Sequence, residues 1–483
     1  MKSTYKPTIG LEVHVELRTN SKMFCSCPND PNEKRPNQNI CPTCMGHPGT
    51  LPVANEEAIK KVIKTGFALN CEIATESKFD RKNYFYPDIP KGYQISQYDM
   101  PLCGKGFLEI NGRKIGITRI HLEEDTGSSL HPEGADYSLV NYNRAGVPLM
   151  ELVTEPDITS GKEASDFAKE LQLIFKYLGV SDADMEKGLM RVEVNISVSK
   201  TKKLGTKVEI KNLNSFKVVE KSIDFEIARQ TELLESGGDG SPVGLRPRVV
   251  QETRGWNDEE EETFSQREKE SAHDYRYFPE PDLPPLHFDH EYLQKIKGEV
   301  PELPQHKRLR FAKEYGLEES QIEVFVANKD LSEYFEKVAS EGQEKSLYKL
   351  AANYLISDVQ GLLGNTEFVE ETFKITPENF AEFIAMIHKG DINSKTAKMV
   401  LLEMFNTGVD SSHIVESNNW GQMKDDGQLE AVVKKVIDAN PKVVADYKAG
   451  NANVLQFLAG QVMKETRGTA NPQKVQELLK KFL

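Results

Sequence analysis

The segment Leu11-Glu12-Val13-His14-Val15-Glu16-Leu17 alternates aliphatic side chains with carboxylates and an imidazole. A period of two predicts a β-strand, because successive side chains on a strand point to opposite faces of the sheet. The aliphatic side chains would share one face, and Glu12, His14 and Glu16 would share the other. The sequence therefore predicts a strand with one face that packs in a core and one that binds a ligand.

Four of the six cysteines lie close behind this strand, at Cys25, Cys27, Cys41 and Cys44. A C-x-C pair and a C-x-x-C pair at this spacing supply four thiolates, the closed tetrahedral set of a structural Zn²⁺ site. Reduced thiols that only pack, or a redox pair at Cys41 and Cys44, are the alternatives. A closed four-sulfur site leaves no position for a substrate, so its predicted role is to hold the loop.

Length and charge narrow the class of protein. At 483 residues, the chain is long enough for roughly three domains. Its net charge of −14 argues against nucleic-acid binding over the whole surface but leaves room for a local basic patch. No segment resembles a signal peptide or a membrane span, and thiols arranged for metal favour the cytoplasm.

The sequence pattern changes near Pro301. Before it, short alternating runs predict strands at 118–122, 147–154, 190–198 and 207–211. After it, apolar residues recur at helical spacing, as core faces of helices do. Thr376-Pro377-Glu378 has the composition of a helix start, and Gly390 marks a stop. The last 20 residues are locally basic, which suits either a phosphate backbone or a solvated helix face.

Acidic residues in the first part suggest a second metal site. Glu151 has apolar neighbours on both sides, and a buried carboxylate is costly unless it is paired, protonated or bound to metal. Together with Glu12, His14 and one carboxylate of the run 123–125, it would form an oxygen-rich shell suited to Mg²⁺ or Mn²⁺.

Periodicity does not decide which residue of that run belongs to the site. Strict alternation places Glu123 with Arg119 and His121, and Glu124 on the opposite face. Ordinary ion pairs with Arg119 and Arg144 are the competing interpretation for any one of these acids.

Further polar side chains alternate along the strands at 190–198 and 207–211. Their cations and amides suit a polyanionic ligand such as ATP or a tRNA terminus, although a solvated sheet face would look the same. No G-x-x-x-x-G-K-[ST] motif occurs, so a nucleotide would be held by carboxylate-bound metal and basic side chains. The predicted substrate-binding residues, which include one lysine from the 79–88 segment, are Lys82, Arg191, Asn195, Lys211, Asn212 and Asn214.

Several longer motifs occur in order along the chain. They are IGLEVHVEL (9–17), FDRKNYFYPD (79–88), YQISQ (93–97), HLEED (121–125), NRAGVPL (143–149), KNLNSF (211–216) and DYRYFPEPD (274–282). Through these motifs the chain resembles the B subunit of the aspartyl/glutamyl-tRNA amidotransferases over almost its whole length.

This resemblance implies an ATP-dependent kinase and transamidase, a ligase of protein biosynthesis. The side-chain carboxylate of Glu-tRNA(Gln) or Asp-tRNA(Asn) would be phosphorylated, and ammonia would then displace the phosphate. A glutaminase, the A subunit of that family's complex, would supply the ammonia, and a small C subunit would complete a heterotrimer. A non-catalytic tRNA-binding subunit is the main alternative, and a zinc metallohydrolase would require an open zinc site.

The resemblance also implies an α+β fold, site residues and cofactors. An antiparallel-sheet cradle similar to the glutamine synthetase catalytic fold would span residues 1–295, a helical domain 296–408, and an all-α, tRNA-contacting tail 409–483. ATP, Mg²⁺ and structural Zn²⁺ are the implied cofactors, with the four cysteines as zinc ligands. The match favours Glu124 over Glu123 and implies that Mg²⁺ is held by Glu12, His14, Glu124 and Glu151.

Overall fold

The computed structural model describes residues 5–236, 248–268, 274–342, 344–421, 426–448, 454–466 and 470–483. The chain divides into two compact units, Met1–Leu303 and Pro304–Leu483. The first is a mixture of strands and helices and the second is helical, so the change of pattern predicted near Pro301 and the α+β class are confirmed. The division into three domains stays a prediction.

The described strands all lie in the first unit. They are β1 (Lys6–Glu16), β2 (Glu76–Ser77), β3 (Asp80–Asn83), β4 (Tyr93–Ser96), β5 (Gly106–Ile110), β6 (Arg113–Glu124), β7 (Ser128–Leu130), β8 (Leu139–Asn141), β9 (Pro148–Thr154), β10 (Met190–Ser199), β11 (Val208–Leu213), β12 (Glu252–Asn257), β13 (Glu262–Glu268), β14 (Phe278–Pro279) and β15 (Leu286–His287).

Within its described residues, the first unit contributes four helices, which are α1 (Glu56–Ala68), α2 (Gly161–Leu178), α3 (Phe216–Ser236) and α4 (His290–Gly298). The second unit contributes α5 (Pro304–Tyr315), α6 (Glu319–Ala327), α7 (Lys329–Ser340), α8 (Lys345–Asn353), α9 (Gln360–Leu363), α10 (Pro377–His388), α11 (Ser394–Thr407), α12 (Ser411–Asn418), α13 (Asp426–Ala439), α14 (Pro441–Lys448), α15 (Val454–Glu465) and α16 (Pro472–Phe482). A π-helical turn at Tyr354–Val359 joins α8 to α9, and Glu370–Thr372 forms a 3₁₀ turn.

The main sheet has eight strands in the order β13-β12-β11-β10-β1-β9-β6-β5. The β11–β12 pair is parallel, and its other neighbouring strands pair antiparallel. β1 lies between β10 and β9, so its polar side chains have neighbouring residues on both flanking strands. All five strands predicted from alternation are confirmed, as β1, β6, β9, β10 and β11.

One face of this sheet is the apolar core of the first unit. The alternate residues Leu11, Val13 and Val15 of β1 are at most 1% exposed and join a cluster with side chains of α1, α2 and α3. Each fully buried aliphatic side chain of this kind contributes roughly 1.5–3 kcal/mol. Because the helices cover this face, the ionisable residues of β1 lie on the opposite face.

A small three-stranded sheet, β14-β3-β4, lies beside the polar face. Arg81 on β3 donates two hydrogen bonds to the buried carboxylate of Glu280, at 2.6 and 2.8 Å. Such a bidentate pair fixes orientation as well as distance. It holds the segment that follows residue 274 against β3, which brings Tyr275 and Tyr277 close to Lys82.

The helical unit has an aromatic core around α5, α6 and α7. The ring centroid of buried Phe335 lies 5.7 Å from that of Phe311 and 4.6 Å from that of Phe325. Further along, the Thr376 side chain accepts a hydrogen bond from the Asn379 amide, and Pro377 begins α10, as predicted. A separate apolar cluster joins α13, α15 and α16. Among the described residues, no helix has the length and apolar character needed to span a bilayer.

Candidate active site

Four central strands of the sheet bring ionisable side chains together on its polar face. Across the β1–β9 and β6–β9 pairs, His14 and His121 both lie opposite Glu151. Across the β1–β10 pair, His14 lies opposite Arg191 and Glu12 lies opposite Glu193. The antiparallel register therefore builds one polar surface from residues of β1 and residues more than 100 positions later in the chain.

The densest group on this surface is formed by His14, Glu123 and Glu151. One ligand atom from each of the three lies within 4.8 Å of the others, which is close enough for a shared metal ion. His14 Nε2 is 3.1 Å from Glu151 Oε2. His121 Nε2 is 3.2 Å from Glu123 Oε1 and 3.7 Å from Glu151 Oε2. Two carboxylates with an imidazole form a donor set that suits Mg²⁺ or Mn²⁺.

Both carboxylates of this group are ionised at neutral pH despite their burial. Burial alone raises the pKa of Glu123, but the Lys82 ammonium and His121 outweigh it and hold that pKa well below its usual range. Burial acts on Glu151 in the same way, and His121 and His14 lower its pKa to about 2. Charged carboxylates are the form that binds a cation.

Glu123 and Glu124 occupy different environments. Glu123 accepts hydrogen bonds from Ser96 Oγ at 2.6 Å and from Gln94 Nε2 at 3.0 Å, on the side that faces His121. Glu124 instead pairs with Lys91 and accepts from the Ile95 amide at 2.9 Å. The structure thus brings Glu123 to His14 and Glu151, as strict alternation along β6 requires, and leaves Glu124 in a separate ion pair. The ligand role of Glu124 stays a prediction.

Glu12 lies two residues before His14 on the same face of β1. It belongs to a second group of acids. It accepts a hydrogen bond from Asn195 Nδ2 at 2.9 Å, and its carboxylate lies within 4.8 Å of those of Glu193 and Glu209. Burial and the nearby carboxylates raise the pKa of Glu12. Lys211 offsets part of this negative charge, since its Nζ is 2.7 Å from Glu193 and 3.3 Å from Glu209.

Lys82 is the cation of the predicted substrate set that lies nearest the metal-ligand group. Its Nζ is 3.9 Å from Glu123 Oε1 and lies over the rings of Tyr84 and Tyr275, at 5.8 and 5.2 Å from their centroids. Burial lowers the pKa of Lys82, but Glu123 and nearby tyrosines raise it above its ordinary value, so the ammonium stays charged.

The remaining residues of that set lie on or next to β10 and β11. Arg191 donates to Asp125 Oδ2 at 2.8 Å. Asn212 is exposed at a bulge of β11, in a left-handed conformation with φ of 63°, and Asn214 is exposed just beyond the strand. Asn195 and Lys211 lie with Glu12 on the polar face, and Lys82 approaches this face from β3.

The four predicted zinc cysteines form one cluster. The Sγ atoms of Cys25, Cys27, Cys41 and Cys44 all lie within 4.8 Å of one another, so the cluster is able to hold a structural metal such as zinc. A hydrogen bond with the Cys25 thiol lowers the pKa of Cys44 to about 5. The fully buried Lys22, with its Nζ 3.8 Å from Cys44 Sγ, acts in the same direction.

Comparison with known proteins shows the family of this chain. A family model described as the GatB/GatE catalytic domain matches residues 7–294, and one described as the GatB domain matches residues 333–483. The chain belongs to the GatB family. The B subunit of the aspartyl/glutamyl-tRNA(Asn/Gln) amidotransferase of Carboxydothermus hydrogenoformans is 48% identical over 99% of this chain and 98% of its own. The protein of the same name from Thermotoga maritima is 47% identical over 99% of both chains. The resemblance stated from the motifs is confirmed.

Within this GatB chain, the sequence interpretation assigned no role to His121. Its position two residues before Glu123 on a strand was the available signal, because the two side chains then share a face. What the sequence did not reveal is that β6 pairs with β9, which brings His121 opposite Glu151.

Proposed function

We propose that this chain is the kinase and transamidase subunit of a tRNA-dependent amidotransferase, a glutamine-hydrolysing ligase. Its substrates would be Glu-tRNA(Gln), Asp-tRNA(Asn) or both, and its products the corresponding Gln-tRNA and Asn-tRNA. The relatives are named as subunits of this amidotransferase, and the chain matches them over nearly their full length. The observation that carries the proposal is the group of His14, Glu123 and Glu151 on the polar face of the catalytic-domain sheet.

The residues of this group fit Mg²⁺. Hard carboxylate oxygens dominate the donor set, one imidazole nitrogen completes it, and both carboxylates are charged at neutral pH. His14, Glu123 and Glu151 would hold the ion, with Glu12 beside His14 on β1. When bound, Mg²⁺ offsets the repulsion between the phosphates of ATP and a substrate carboxylate.

The proposed reaction has two steps. A side-chain carboxylate oxygen of the aminoacyl-tRNA attacks the γ-phosphorus of ATP, which breaks the bond to the β-phosphate oxygen and releases ADP. Ammonia then attacks the carbonyl carbon of the acyl phosphate, inorganic phosphate leaves with the bonding electrons, and an amide remains after loss of a proton. Phosphorylation is required because a free carboxylate has no adequate leaving group.

Lys82 is the side chain best suited to assist the phosphorylation step. Its ammonium lies beside Glu123 and is flanked by the rings of Tyr84 and Tyr275, which restrict its position. A fixed cation of this kind orients an anionic group and stabilises charge that develops on it. Arg191, Asn195, Lys211, Asn212 and Asn214 remain the proposed contacts to more distant parts of the substrates.

The finer features implied by the motif resemblance belong to the same proposal. They are a cradle similar to the glutamine synthetase catalytic fold in residues 1–295, a helical domain in 296–408, and a tRNA-contacting tail in 409–483. A glutaminase as the A subunit and a small C subunit would complete a heterotrimer in the cytoplasm, where thiols stay reduced. The cysteine cluster supports the structural Zn²⁺.

The test is transamidation of Glu-tRNA(Gln) by the complete heterotrimer with ATP, Mg²⁺ and glutamine. We expect His14→Ala to lower the rate more than about 100-fold while tRNA affinity stays unchanged, since the loss of even an outer-shell partner costs about 10- to 100-fold. His287→Ala is the matched control. That imidazole is exposed, and its position in the sequence is far from His14.

Three results are distinguishable in this assay. Loss of activity in His14→Ala with retained tRNA binding supports the proposed site. Wild-type activity in that variant would show that the chemistry lies elsewhere, as in a non-catalytic tRNA-binding subunit. No product from the wild-type complex would contradict the proposed function itself.

A further inference from the structure

His121 lies at the centre of the proposed cation site without being one of its three grouped ligands. It is 3% exposed and sits on β6 directly opposite Glu151 of β9. Since Glu123 follows two residues later on the same face of β6, the imidazole lies between the two carboxylates of the group. A buried polar side chain in this position requires partners, because an unpaired one costs about 1–3 kcal/mol.

His121 is hydrogen-bonded to Glu123 and lies within ion-pair distance of Glu151. Its Nε2 is 3.2 Å from Glu123 Oε1 and 3.7 Å from Glu151 Oε2. Ionised carboxylate oxygens only accept hydrogen bonds, so Nε2 acts as the donor in the contact with Glu123. The other ring nitrogen, Nδ1, is buried and has no hydrogen-bond partner within the described part of the chain. All polar contacts of the ring that the structure provides are therefore made by Nε2–H.

Glu123 is held from several directions, and His121 supplies the link to Glu151. Ser96 Oγ and Gln94 Nε2 donate to the two oxygens of Glu123, at 2.6 and 3.0 Å, from the β4 side. Neither of these donors is on β9 or beside it. Two carboxylates at this separation repel each other in the absence of a cation, so a donor between them limits how far they move apart.

We propose that His121 is a positioning residue whose Nε2–H holds the Glu123 and Glu151 carboxylates at the separation that a divalent cation needs. The role rests on the proposed function, since it acts on the same cation site. Side chains that hydrogen-bond to metal ligands set ligand orientation, and their loss typically costs about 10- to 100-fold in metal affinity. His121 acts through Glu123 and Glu151 and does not itself need to touch the substrate.

Two amide substitutions separate this role from simple space filling. In His121→Gln the side-chain amide reaches about as far as Nε2, whereas in His121→Asn it reaches only about as far as Nδ1. Both substituted side chains are polar, uncharged amides. A residue that only fills space would tolerate them similarly, but a donor required at the Nε2 position is restored by glutamine alone.

The measurement is Mn²⁺ binding to the assembled complex, followed by electron paramagnetic resonance without nucleotide. We expect His121→Asn to weaken Mn²⁺ binding about 10- to 100-fold and His121→Gln to stay close to wild type. In the transamidation assay, the apparent KM for Mg²⁺ should rise in the asparagine variant while the KM for tRNA stays constant. His287→Asn, at an exposed histidine, is the control for a generic effect of the substitution.

The outcomes separate the role of His121 from the site itself. Equal Mn²⁺ affinity in both variants, or a loss in His121→Gln with retention in His121→Asn, would overturn the positioning role while wild-type binding leaves the cation site in place. Absence of Mn²⁺ binding by the wild-type complex, or binding unaffected by Glu151→Gln, would overturn the site and this role together. Thermal melting of each variant identifies one that fails to fold. If only His121→Asn fails to fold, weakened Mn²⁺ binding in the folded His121→Gln variant would still overturn the positioning role.

Discussion

At the scale of single residues, the neighbours Glu123 and Glu124 have opposite surroundings. Glu123 faces His121, Lys82 and the polar face of the sheet, whereas Glu124 faces away and pairs with Lys91. The difference follows from the two-residue period of β6. The motif resemblance favoured Glu124 as a Mg²⁺ ligand, and the geometry favours Glu123, so the two assignments make opposite predictions.

We therefore expect Glu123→Gln to weaken Mn²⁺ binding at least about 10-fold and Glu124→Gln to leave it nearly unchanged. Each substitution keeps the shape of the side chain and removes one negative charge, so the two variants control for each other. Mn²⁺ titration of the two complexes measures the difference. Normal Mn²⁺ affinity in Glu123→Gln with loss in Glu124→Gln would favour the assignment from the motifs.

At the scale of elements, the cysteine loop is anchored to the strands that carry the cation site. Met23 donates its amide hydrogen to the Gly146 carbonyl at 2.7 Å, and buried Lys22 donates to the Ala145 carbonyl at 2.7 Å. Gly146 lies two residues before the start of β9, the strand that carries Glu151. The loop therefore supports the site from outside it and contributes no ligand to the group of His14, Glu123 and Glu151.

Removal of one cluster cysteine should abolish zinc and leave the cation site. We expect Cys41→Ser to lose bound zinc, because a closed four-thiolate site needs all its ligands, while Mn²⁺ affinity at the other site changes little. Metal analysis and Mn²⁺ titration measure the two effects. Cys71→Ser, outside the cluster, should keep its zinc. Loss of zinc and of all activity with normal Mn²⁺ binding would favour a catalytic zinc ion.

At the scale of the whole molecule, the two compact units have separate cores. The first unit is built on the eight-stranded sheet, and the second on helices packed around aromatic and aliphatic clusters. The grouped residues of the proposed cation site all come from β1, β6 and β9 of the first unit. Damage confined to the core of the second unit should therefore spare cation binding.

We expect Phe335→Ala to destabilise the second unit by about 3–5 kcal/mol, because a fully buried aromatic ring is replaced by a cavity. Hydrogen exchange should accelerate in α5, α6 and α7, with Mn²⁺ binding by the first unit unchanged. Phe457→Ala, at a ring that is 48% exposed, is the matched control and should have a much smaller effect. A loss of Mn²⁺ affinity in Phe335→Ala would mean that the two units are energetically coupled.

Local pattern was sufficient to predict several elements of this protein. Alternation predicted β6, β9, β10 and β11, and the residues at 376–378 predicted the start of α10, because strand period and helix capping depend on neighbours in sequence. The cysteine spacing likewise predicted the cluster that the structure forms. Strand order depends on pairing between distant segments, and no local pattern records it.

The sequence by itself determined that Glu12, His14 and Glu16 share a face, that four cysteines can meet, and to which family the chain belongs. Only the tertiary structure decided that β9 lies between β1 and β6, which places Glu151 opposite both His14 and His121. The physical reason is that backbone hydrogen bonds between strands fix the register of residues far apart in sequence. The same register brings Glu123 into the group with His14 and Glu151, where sequence periodicity had left two adjacent glutamates open.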